Sequence, residues 1–133
     1  MFLMDVNALF AALDKDHSAH VVVTRWLKTI DRYATCGMTQ INTFRLLLTP
    51  PAMRYQPLTA TDAHAVINRF TGATRHVFIP CPAISNSIVG QTRGHKAAMD
   101  DYLVQIAEAG GCRLATLDRA LAGRWPERAW LIN

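Results

Sequence analysis

The chain has 133 residues, half of them apolar, with 14 basic and 10 acidic side chains and a formal charge of +4. That length suits one domain with a proper hydrophobic core, spanning residues 1–133, and that composition excludes a disordered chain. No apolar run approaches the ~20 residues a helix needs to cross a bilayer, and the net charge mildly favours a polyanionic partner.

The first run, FLMDV, reads as a short buried strand whose polar end is Asp5. No basic segment precedes it, so a secretory signal is not expected and the compartment is cytoplasmic. Asn7 and a helix-like ALFAALD follow. Asp16 or Ser18 is placed to cap a helix over residues 17–31, with Val22, Val23, Trp26, Leu27 and Ile30 on its apolar face. YATCGM is a second strand. Thr39 is the expected N-cap of the helix QINTFRLLL, which Pro50-Pro51 ends. A loop over 50–58 leads to a helix capped by Thr59 or Thr61. HVFIP is a third strand, 82–89 a short helix, and GQTRGHK (90–96) a basic, polar loop.

Residues 96–109 form a helix that Gly110-Gly111 ends. CRLATLD is a fourth strand, 119–123 a helical turn or two, and AWLI a fifth strand. Strands alternating with helices predict an α/β fold with a mainly parallel sheet covered on both faces. There is no internal repeat and no linker.

In such sheets, sites form where strands end, near a topological switch point. Asp5 and Asp118 both end strands. Asp100, or Asp101, would join them from the first turn of its helix, and Gln40 from the start of another. Clustered carboxylates repel one another unless a cation neutralises them, and hard oxygen ligands suit Mg²⁺ or Mn²⁺. Such an ion activates water and stabilises charge in phosphodiester cleavage. The three cysteines are widely spaced without a CxxC pair, so they read as buried or partly buried free thiols rather than zinc ligands. The histidines lack metal-ligand spacing, and Trp26, Trp125 and Trp130 read as packing residues.

The run FLMDVNALFAALD, the TQINTFRLLL and MDDYLVQIAEAGG helices, and LATLDRAL resemble, in order and spacing, PIN-domain proteins of the VapC toxin type. The resemblance covers nearly the whole chain. It implies a three-layer α/β/α sandwich around a mainly parallel five-stranded sheet. It implies a Mg²⁺- or Mn²⁺-dependent endoribonuclease acting on tRNA or rRNA, a VapB-like antitoxin as partner, and a homodimer. Carried across residue by residue, it matches Asp5, Asp100 and Asp118 to acidic metal-binding positions, and Asn7 and Thr116 to nearby polar positions. Arg45 matches an arginine common after the second acidic position. Gln40 departs from the pattern, which has glutamate there. The change is nearly isosteric, but it removes a negative charge and a general base.

Arg45, Arg93, Lys96 and Arg119 are the expected RNA contacts, and Asp5, Gln40, Asp100 and Asp118 the expected catalytic set. A second reading is a non-catalytic PIN-like protein that binds RNA or the antitoxin without cutting. A receiver-like or phosphatase-like domain is disfavoured because Asp5-Val6-Asn7 lacks a second acid.

Overall fold

The computed structural model describes residues 1–133. Its five strands are β1 (Phe2–Met4), β2 (Tyr33–Thr35), β3 (His76–Phe78), β4 (Arg113–Thr116) and β5 (Ala129–Leu131). They form a single parallel sheet in the order β3-β2-β1-β4-β5. The chain starts in the middle, winds outward to β3, then returns to the other side of β1. The switch point therefore lies between β1 and β4.

Seven helices connect and cover the strands: α1 (Val6–Leu13), α2 (His20–Leu27), α3 (Gly37–Leu47), α4 (Ala60–Thr71), α5 (Asn86–Val89), α6 (His95–Ala109) and α7 (Arg119–Arg124). Side chains alternate across the sheet, as strand geometry demands. Leu3, Ala34, Leu114 and Ala129 pack beneath Leu103, Val104, Ile106 and Ala107 of α6. Met4, Tyr33 and Ala115 pack against Ala8, Leu9 and Ala11 of α1 and Val23 of α2. A third cluster joins Phe10 of α1 to Leu47 of α3 and to Ala63 and Ile67 of α4.

Several expected boundaries shift, among them the short helix expected over 82–89, which spans Asn86–Val89. The second helix starts at His20 with Ala19 as a cap lacking any side-chain bond. The third starts at Gly37, and its N-cap is Cys36 rather than Thr39. Thr39 is the third helical residue, and its hydroxyl accepts from the Cys36 backbone amide at 3.0 Å. The sixth starts at His95, so Asp100 stands in its second turn and Lys96 on the helix itself. Gly94, at φ 88°, makes the entry to that helix in the left-handed region that favours glycine. Thr59 caps α4 by accepting from the Asp62 amide. The cysteines are all free, but Cys81 is exposed, because it follows Pro80 out of the sheet into an irregular stretch.

Candidate active site

β1 and β4 pair in register from Phe2↔Arg113 to Met4↔Ala115, so their carboxyl ends emerge side by side. The Asp5 amide donates to Ala115 O as the last rung of that ladder. From there Asp5 becomes the N-cap of α1, with Oδ1 accepting from the Val6 amide at 2.7 Å. Asp118 likewise caps α7, its Oδ1 accepting from the Ala120 and Leu121 amides. The same acidic side chains that start the helices thus stand at the switch point.

Thr116 ties the two together. Its hydroxyl donates to Asp5 Oδ2 at 2.6 Å and accepts from the Asp118 amide at 3.0 Å. Asn7 Oδ1 accepts from the Leu117 amide at 3.2 Å, bracing the loop between β4 and α7. Asp100 joins them from α6. The cleft they share has a volume of about 400 Å³, and Asn7, Asn42, Arg45 and His17 are also on its walls.

Burial pushes the Asp5 carboxyl above the ordinary carboxylate range; the Thr116 and Val6 hydrogen bonds pull it back, and the Asp100 and Asp118 charges push it further up. Asp100 is also raised, by burial first and then by Asp118. The repulsion among these carboxylates adds to the effect of burial.

Asp100 makes no hydrogen bond, and Asp118 keeps Oδ2 free of one. No three His, Cys, Asp or Glu side chains close into a coordination shell by themselves. Magnesium does not require one: it is held by one or two carboxylates and keeps several waters. The donor set, all hard carboxylate oxygen around a shared cleft, fits such a hydrated divalent ion.

The other expected residues divide. Arg45 lines the cleft. Gln40 does not. It lines a separate hollow between α3 and α4, with Phe44, His64 and Asn68, and its Nε2 donates to Thr35 Oγ1 at 2.9 Å. On a helix, Gln40 and Arg45 point about 140° apart. Asn42, whose direction is within about 60° of Arg45, lines the cleft beside it. Arg119 lines a surface depression on the other side of α7, near Ile132 and Asn133. Arg93 lines a hollow formed with α7. Lys96 is exposed on α6. Asp101 is fully buried and bonded to Arg124 and Trp125, away from the cleft.

Asn42 and His17 were the cleft residues that sequence reasoning passed over. Helical spacing from Arg45 is enough to find Asn42. His17 follows α1 in a turn, its ring edge-on to Phe10 at 5.4 Å, and no pattern marks it.

No protein-family model matches the chain. Among curated proteins it is 33% identical over 132 residues to ribonuclease VapC29 of Mycobacterium tuberculosis, covering 98% of this chain and 95% of that protein. It is 32% identical over 127 residues to ribonuclease VapC44 of the same organism, covering 90% and 87%. Among solved structures it superposes on VapC20 of M. tuberculosis, a toxin that cleaves the sarcin-ricin loop. The TM-score is 0.65 at 14% identity, covering 94% of this chain and 95% of that one, a likeness of fold.

Proposed function

The chain belongs to the VapC ribonuclease family, and from that premise we propose that it is the toxin of a toxin–antitoxin pair, hydrolysing RNA phosphodiesters in the cleft of Asp5, Asp100 and Asp118. The observation that carries this is the convergence of three carboxylates from three elements on one switch point.

The three aspartates would hold Mg²⁺ or Mn²⁺, which supplies charge neutralisation at the phosphate and an activated water. Each protein group has its own part. Asp5 is fixed by Thr116 and Val6, so its oxygens hold their direction without reorganisation. Asp118 offers Oδ2 while Oδ1 caps α7. Arg45 gives the cleft wall a fixed positive charge for a phosphate oxygen. Asn42 offers an amide that can donate to the RNA backbone.

The substrate would be a structured cellular RNA, transfer or ribosomal, the partner a VapB-like antitoxin, and the assembly a homodimer acting in the cytoplasm. No helix is long and apolar enough to cross a membrane.

The test is cleavage of total RNA with Mg²⁺ or Mn²⁺ by the purified chain, Asp5→Asn and Asp118→Asn. A metal ion supplies several kcal/mol of transition-state stabilisation, so each substitution should slow cleavage by more than about a hundredfold. A folded wild-type chain that leaves RNA intact with either metal would remove the catalytic reading and leave the binding-only one.

A further inference from the structure

Charge collects in a second place, beside the cleft. Asp100 and Asp101 are consecutive on α6, so their side chains diverge by about 100°. Asp100 faces the cleft; Asp101 points into the protein and is fully buried. Asp101 Oδ1 accepts from Arg124 Nη2 at 2.6 Å and from Trp125 Nε1 at 2.8 Å, and its Oδ2 is buried with no partner. A buried carboxylate left half-satisfied is costly. What it achieves here is to fix the Arg124 guanidinium, which stays 37% exposed. Its other N–H groups make no hydrogen bond within the protein.

Arg124 and Trp125 form one wall of a hollow of about 420 Å³. Gly90, Gln91, Thr92 and Arg93 form the other, and no carboxylate lines it. Arg93 is exposed and has no ion-pair partner. Asp118 caps the start of α7 and Arg124 is its last residue, about 9 Å further along the helix axis, so hollow and cleft are neighbours.

We propose that this hollow is a phosphate subsite of the RNA track, in which Arg93 and Arg124 take a backbone phosphate neighbouring the one held at the carboxylate cleft. The assignment rests on the ribonuclease reading of that cleft. Three carboxylates repel a polyanion, so a strand that crosses them needs cations on the flanks. Arg45 supplies one from α3 and the hollow supplies two from the side of α7. The planar guanidinium fork suits phosphate oxygens, and holding it in place beforehand reduces the freedom lost on binding. A phosphate also takes less from Arg124 than a bare arginine would offer, since Asp101 shares its charge. Arg93 compensates.

The experiment is binding of a short fluorescently labelled single-stranded RNA, followed by anisotropy in EDTA so that nothing is cut, over a series of salt concentrations. The proteins are wild type, Arg93→Ala and the double variant Asp101→Asn/Arg124→Ala, which removes the buried charge together with its partner and keeps an acceptor for Trp125 Nε1. Each lost phosphate contact should lower the slope of log affinity against log salt by about 0.7. Affinity at low salt should fall several-fold, and the thermal midpoint of Arg93→Ala should not move. If wild type binds RNA and both variants keep its slope, the hollow is not a phosphate site, whatever the cleft does. If wild type neither binds nor cuts RNA, the ribonuclease reading falls first.

Discussion

The Thr116 hydroxyl donates to Asp5 Oδ2 and accepts from the Asp118 amide, so one oxygen touches both residues that end the central strands. It holds Asp5 against burial and two neighbouring charges, which favour the protonated acid. The sign follows from which state holds the proton more tightly. Asp5 is raised in the folded chain, so its contribution to stability is present below the ordinary carboxylate value. That contribution is lost as pH rises through the folded value. The proposed metal-holding role needs the opposite, an ionised Asp5. Thr116→Val keeps the shape and removes the donor, so the acid limb of the pH–rate profile should move to higher pH. The rate at neutral pH should fall by about 10–100-fold, as for other residues that orient a metal ligand. A limb that stays in place would show that Thr116 does not set the ionisation of Asp5. At this scale the sequence was informative: LATLD and FLMDV place the acids at strand ends. It could not show that Asp101, one residue from Asp100, turns inward to Arg124, since adjacent acids look alike until a helix phase is chosen.

α3 shows what a helix phase decides. Asn42, Arg45 and Leu46 line the carboxylate cleft, while Gln40, Ile41 and Phe44 line a hollow of about 310 Å³ against α4. Thr39 reads as a cap because its hydroxyl can satisfy a backbone amide, and it does so, but from inside the helix toward Cys36. The apolar stripe that located the helix is indifferent to such a shift. The relative directions of Gln40 and Arg45 are not, and the sequence reading gave both to one site without fixing that phase. In this setting Gln40→Glu has a defined consequence. Glutamate only accepts, so the Thr35 hydroxyl donates to it and meets His76 Nε2, 2.7 Å away, only as an acceptor, which requires a proton on that nitrogen. Stability should fall by about 1 kcal/mol, the net worth of one hydrogen bond. The cleavage rate should stay within about threefold of wild type, since the charge does not enter the cleft. A rise of tenfold or more in rate would show that the side chain at position 40 swings into the cleft when RNA binds.

Across the whole molecule, the five strands were readable because each is a short apolar run bounded by turn or cap residues. β1, β2 and β4 proved shorter than their apolar runs, because the chain turns into a helix at Asp5, Cys36 and Asp118. Sheet order was less legible. It depends on long-range pairing of Phe2 with both Tyr33 and Arg113, which local patterns do not specify. That pairing is also what gathers the acids, so the fold carries electrostatic strain at its own switch point. Asp5 and Asp100 both sit above the ordinary carboxylate range, and a cation that relieves them must stabilise the folded chain over the unfolded one. At a metal concentration about a hundred times the dissociation constant, the gain is about 2.7 kcal/mol. For a chain of this size that is a rise in thermal midpoint on the order of 10 °C. Mn²⁺ or Mg²⁺ should therefore raise the midpoint of wild type in a concentration-dependent way, and EDTA should reverse it. Asp100→Asn should start from a higher metal-free midpoint, because one repelling charge is gone, and should respond less to the metal. Equal metal responses in wild type, Asp5→Asn and Asp118→Asn would place the ion elsewhere on the molecule. The absence of any response in wild type, with RNA cleavage intact in EDTA, would mean that the carboxylates act without a cation.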